Sequence, residues 1–301
     1  MLKRPWLYLL VVATFFVCIT VVKTLAQTAV SGTWTASSLN NEKTGKIQLN
    51  FERRTQRGSR SQMGQSYDFA ELQGLSSDQA SGSGPVKFSL VREAGRIDCE
   101  GNFQNGKGSG TFTFTPSSTF VSAMKSRGFD FEQDASRNGE QDLEERLFAA
   151  TTLNVTTALA DDLNSANFGK LQVEDLFKAA IFKVDSNFMR EMKASGFENL
   201  GMEELVKARI FKVDAEFARQ VSQMGFEKEP FESLVKMRIF KVTPEFITEV
   251  RNEGITNLTI EDAVKMKIFK IDTEFIREAK ADGVPLEVER LVQRKIGVAR
   301  R

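Results

Sequence analysis

A chain of 301 residues, 41% apolar and 27% charged, has the make-up of an ordinary folded protein with room for about two domains. A net charge of +1, with no stretch dense in excess Lys and Arg, argues against nucleic-acid binding. There is no histidine, which excludes Ser-His-Asp and Cys-His catalysis and any His-bearing zinc site, and two cysteines cannot build a disulfide framework.

The N-terminus opens with Lys3 and Arg4, then an apolar run from Trp6 to Val22, then Lys23 and the small-residue site Thr24-Leu25-Ala26. Positive start, apolar middle and small-residue site together describe a secretory signal, with cleavage expected after Ala26. The competing reading is a retained membrane anchor, although the run is short against the roughly 20 apolar residues that a bilayer core requires. Cys18 is one apolar residue of that run. Cys99 is then the lone cysteine of an extracytoplasmic, periplasmic or secreted protein, and it lies on the apolar side of an alternation, where a buried hydrophobe is expected.

From residue 27 to 116 the apolar period is two. Ile47, Leu49 and Phe51 share one face, as do Val86, Phe88 and Leu90, then Ile97 and Cys99, then Phe112 and Phe114. Strict alternation means strands with one buried and one wet face. Trp34 and the Tyr67–Phe69 stretch suit two more, so about six antiparallel strands are expected, with Gly101 to Gly110 as one connection and Glu93-Ala94-Gly95 as a tighter one. A small β sandwich or partial barrel follows, either curled on itself or covered by what comes next. Its mouth offers an alternative function, carriage of a small apolar ligand. Arg53, Arg54, Arg57 and Arg60 crowd one stretch, read as an exposed loop able to touch an anionic envelope surface.

From residue 117 the period changes. Ile181-Phe182-Lys183-Val184 returns as Ile210-Phe211-Lys212-Val213, Ile239-Phe240-Lys241-Val242 and Ile268-Phe269-Lys270-Ile271, always 29 residues apart. Each period holds two short helical patterns. The first helices start on the cap residues Ser117, Thr156, Asp185, Asp214, Thr243 and Asp272 and stop at Gly128, Asn167, Gly196, Gly225, Gly254 and Gly283. The second helices carry Leu205, Val206 and Ile210, with equivalents in each copy, and Thr259 to Asp262 reads as an acidic capping box. One hairpin cannot bury its own apolar stripe, so a stacked α-solenoid over 117–301 is expected, and the fold class is α+β in separate domains.

Bases recur along this array at Lys207, Arg209 and Lys212, at Lys236, Arg238 and Lys241, and at Lys265, Lys267 and Lys270. They form a candidate partner-binding surface, although acids at helix starts and bases at helix ends also suit the helix dipole. Asp98 and Glu100, the best carboxylate pair, share a wet strand face, so a non-catalytic protein without cofactor or metal is expected. The expected partner is a protein or an envelope component.

The cap, the Phe three residues on, the Gly stop and the Ile-x-x-Val handover resemble an αα repeat of exported bacterial proteins. They also resemble the repeat that trails membrane zinc metallopeptidases of the β-lactam-sensor type. Val242-Thr243-Pro244-Glu245-Phe246 and Lys295-Ile296-Gly297-Val298 carry the likeness, which spans about residues 117–298; the chain departs from it with Phe-Lys in place of His-Gly. No His-Glu-x-x-His exists here, so the resemblance implies an extracytoplasmic interaction module and no catalytic role.

Overall fold

The computed structural model describes residues 30–38, 45–54, 60–133 and 143–297. The signal segment with its site at Ala26, Cys18 and Arg57 lie outside these residues. Among the described residues no helix is long and apolar enough to cross a membrane.

The N-terminal part is one antiparallel half-barrel sheet of seven strands in the order β3-β2-β1-β7-β6-β5-β4. The strands are β1 (Val30–Ser38), β2 (Lys46–Arg54), β3 (Arg60–Asp68), β4 (Leu72–Gln73), β5 (Ser83–Arg92), β6 (Gly95–Gln104) and β7 (Lys107–Pro116). A short helix, α1 (Ser77–Ser81), links β4 to β5. Two expectations change. The count rises from six because β4 is a two-residue strand, too short to alternate visibly. The link between β6 and β7 is not a ten-residue connection but the two residues Asn105 and Gly106, both at positive φ (49° and 78°). Gly101 and Gly110 instead face each other within the ladder. A Cβ on Gly101 would stand 2.7 Å from the Trp34 ring, and one on Gly108 2.8 Å from it. These glycines make room for an indole; they do not mark a loop.

The buried face of the sheet carries Trp34, Leu49, Phe51, Phe88, Phe112 and Phe114. It is covered from outside the sheet. Helix α3 (Leu143–Leu153) lies against β3, β6 and β7. Its Phe148 stacks on Phe112 (centroids 5.3 Å apart, 15° between planes) and meets Phe51 and Phe114 edge-on at 5.9 and 5.4 Å. The last carbonyls of α3 have no partners within the helix. Arg92 supplies them, donating to Thr151 O and Thr152 O at 2.9 Å each, and the Tyr67 hydroxyl adds a bond to Thr152 O at 3.2 Å. Near the start of the same helix Arg53 pairs with Glu145 at 2.5 Å. The sheet therefore grips α3 at both ends with an arginine and in the middle with aromatic rings.

Helices α2 (Ser118–Lys125), α4 (Thr157–Ser165), α6 (Ser186–Ala194), α8 (Ala215–Gln223), α10 (Pro244–Asn252) and α12 (Thr273–Ala281) are the first helices of the periods. Helices α5 (Val173–Phe182), α7 (Met202–Phe211), α9 (Phe231–Ile239), α11 (Ile260–Ile268) and α13 (Val288–Lys295) are the second, and α3 stands at their head. Each second helix packs on the next second helix. All six expected caps form: Ser117, Thr156, Asp185, Asp214, Thr243 and Asp272 each accept from the backbone N–H three residues on. All six expected stops have positive φ, from 54° at Asn167 to 110° at Gly254.

Candidate functional site

Both kinds of helix end in the same way, and that similarity exposes the site. After a first helix, Phe129, Phe197, Phe226, Ile255 and Val284 each donate to the carbonyl five residues back. After a second helix, Val155, Val184, Val213, Val242 and Ile271 do the same, at 2.8–3.1 Å. This is the Schellman closure, and it requires a left-handed residue just before the donor. In the first helices that residue is Gly or Asn. In the second helices it is Asn154, then Lys183, Lys212, Lys241 and Lys270, at φ 58°, 56°, 54° and 53°. Gly297 takes the same place after α13, at φ 75°. A left-handed residue with a side chain costs about 1–2 kcal/mol. A cation at an exposed helix C-terminus regains about 0.3–1 kcal/mol. On balance the backbone favours glycine here, yet lysine stands at four consecutive turns.

The nine bases expected on this surface divide into three kinds. Lys207, Lys236 and Lys265 pair with Glu232, Glu261 and Glu289 of the following second helix, at 2.6, 2.5 and 2.9 Å, and Lys178 pairs with Glu203 in the same way. Hydrogen bonding to its glutamate raises the pKa of Lys178, Lys207 and Lys265. Arg209, Arg238 and Lys267 lie over the rings of Phe188, Phe217 and Phe246, at 3.7, 3.6 and 3.7 Å from the centroids. Burial against that ring pushes the Lys267 ammonium down. These six cations are engaged within the protein, by ion pairing or cation–π stacking.

Lys212, Lys241 and Lys270, with Lys183, are the third kind. All are exposed, and no carboxylate of the described residues pairs with them. Two residues before each stands an isoleucine that the apolar pattern placed with the core. Ile181, Ile210, Ile239 and Ile268 are instead 47–53% exposed, and Phe240 is 36% exposed. The reason is geometric. Leu205, Val206 and Ala208 already face the neighbouring helices, and Ile210 falls on the last turn of α7, beyond that packed face. The result is a ridge along the ends of α5, α7, α9 and α11, in which an exposed isoleucine and an unpaired lysine repeat once per helix. Like helices pack about 8–10 Å apart, which sets the pitch.

Of the four arginines expected on one anionic-surface loop, Arg57 lies outside the described residues and the other three stand on strands. Arg53 ends in the α3 junction with a side chain 9% exposed. Arg54 closes β2. Arg60 opens β3 and pairs with Glu52 across it. Asp98 accepts from Ser89 at 2.6 Å and Arg96 at 2.7 Å, and Glu100 accepts from Lys87 at 2.7 Å, so both carboxylates are engaged across strands. Cys99 is a buried free thiol whose pKa burial raises. Among the described residues no group of three or more Cys, Asp or Glu side chains is placed to hold a metal ion.

No family model matches the chain, and no curated protein or solved structure is significantly similar to it.

Proposed function

We propose that the chain is an exported, non-catalytic docking protein. In this reading the helical part is an α-solenoid of 29-residue hairpins, and its ridge of isoleucines and left-handed lysines receives a partner bearing acidic groups. The observation that supports it is the contrast between the lysines. Those between second helices each have a glutamate, while those at the turns have none and stand where glycine is the easier residue. An apolar side chain beside each cation gives such a surface both adhesion and charge selectivity. Repeat arrays present extended faces of this kind. Export rests on the N-terminal signal pattern.

The test uses the full chain, with a photo-crosslinking residue at position 210 or 239, on envelope extract of the source organism. The expected result is a discrete crosslinked species that weakens with rising salt. It should be lost in the triple variant Lys212→Gly, Lys241→Gly, Lys270→Gly, with thermal stability retained. Crosslinking that is unaffected by the triple variant and by salt would overturn the reading.

A further inference from the structure

The half-barrel sheet has two margins, β3 at one and β4 at the other. An open margin invites a further strand, and folds usually guard it with brevity, proline, lysine or a bulge. β4 is guarded by being only two residues long. β3 has none of these guards. It runs for nine residues in unbroken register with β2, with Arg60 its only base and Asp68 its only acid. Its outward backbone groups can be identified. Phe69, next after the strand, donates to Gly45 O at 3.2 Å, and bonded pairs alternate along an antiparallel ladder. Ser61, Met63, Gln65 and Tyr67 therefore turn their backbone groups to β2, while Arg60, Gln62, Gly64 and Ser66 turn theirs away from it. The outward N–H of Asp68 is taken by the Glu71 carboxylate at 3.0 Å, which closes that end of the margin. The other four residues are exposed, and among the described residues nothing bonds to their outward backbone groups.

We infer that this margin is a homodimer interface, in which β3 pairs antiparallel with β3 of a second copy about a two-fold axis at Gly64. The strand is complementary to itself in that register. Gly64 is its middle residue, so the whole strand overlaps. Gln62 of one copy meets Ser66 of the other, and Arg60 meets Asp68 at both ends. Residues that meet must lie on the same face, and no other register that keeps this rule sets Arg60 against an acid. Within one copy Arg60 already pairs with Glu52, and Asp68 lies 3.6 Å from Lys46. The new contact joins these pairs into a row of alternating sign, Glu52, Arg60, Asp68 and Lys46, that crosses the interface. Exposed charges of this kind set register more than strength. Strength comes from the main-chain bonds that Gln62, Gly64 and Ser66 exchange with their opposites. At the axis, where like meets like, glycine brings no side chain to clash with its own copy. An unrelated strand would find the same main-chain groups without this match, so the occupant is a second copy in a closed, isologous pair. The inference rests on the sheet margin alone and stands or falls apart from the ridge.

Light scattering of the full chain over a dilution series tests it, together with disulfide trapping. The mass is expected to rise from one chain to two with concentration. Gln62→Pro removes an outward N–H that the ladder with β2 does not use, and should hold the mass at one chain with the melting curve of the dilute protein unchanged. Trapping reads the register even where the proline variant folds poorly. It uses a Cys18→Ser background, in which the remaining Cys99 is buried. Positions 62 and 66 then face each other across the interface with Cα atoms about 5.5 Å apart, within reach of a disulfide. Position 62 of one copy stands about 13 Å from position 62 of the other, out of reach. An oxidised dimer is therefore expected from a mixture of Gln62→Cys and Ser66→Cys and from neither variant alone. A single-chain mass at every concentration, a dimer that survives Gln62→Pro, or trapping that fails in the mixture or succeeds equally in one variant alone would each overturn the inference.

Discussion

At the scale of single residues, Phe148 is where the two parts of the protein meet. It belongs to a helix, but three of its neighbouring rings belong to the sheet. Truncating a buried phenylalanine typically costs about 3–5 kcal/mol. Phe148→Ala should therefore lower the unfolding free energy measured in urea by that order, and should shift the fluorescence of the buried Trp34 together with the helical circular dichroism. A fall in the helical signal with Trp34 unmoved would contradict the packing described. The left-handed lysines make the opposite prediction. Lys212→Gly relieves φ 56° but gives the unfolded chain more freedom, worth about 0.4–1 kcal/mol. Stability should hold or rise by up to about 1 kcal/mol, measured by chemical denaturation. A clear loss would mean that the Lys212 side chain supports the fold itself.

At the scale of elements, the helix ends were the most legible feature of the sequence. A cap such as Asp214 and a stop such as Gly225 act within a few residues of themselves, so their chemistry shows in the local sequence. The second-helix stop was not legible, because lysine does not advertise a left-handed turn and only the backbone reveals it. Ile210 misled for a related reason. Its spacing suits the helix stripe, but how far along a helix the packed face extends is set by the neighbour. The pairing of Lys207 with Glu232 links residues 25 apart and needs two helices already stacked. These pairs are exposed and individually weak, fixing register more than stability. Their pH dependence has a definite sign. The folded-state pKa of Lys178, Lys207 and Lys265 lies above the ordinary 10.5, so their contribution is complete at neutral and mildly alkaline pH. It is lost as pH rises through the raised values. The helical signal should therefore melt earlier at pH 11 than at pH 8, and Lys207→Met with Lys265→Met should shrink that difference. An undiminished difference in the double variant would place the alkaline sensitivity elsewhere.

At the scale of the molecule, buried apolar side chains run without a break from the sheet through α3 into the array. Six of the seven strands were readable in outline, but what covers the sheet was not, since nothing in the alternation of Phe112 and Phe114 says that a residue 34 positions beyond Phe114 will lie over them. A fragment ending at Pro116 should expose that face and bind a hydrophobic dye, whereas one extended past Leu153 should not. Folding of the shorter fragment to a dye-silent, dispersed state would show that the sheet needs no cover.

The pairing of a lysine with the acid of the following second helix also has a bearing on how long such a protein can be. Each unit offers a donor forward and an acceptor backward, as links in a chain of one repeating pattern. Excising or duplicating one whole 29-residue period keeps these lysines and glutamates in step. At the equivalent place in α13, Arg294 pairs instead with Asp282, the residue that follows α12. The second helices thus follow the grammar of a ruler, each gradation read against the next by one lysine and one glutamate.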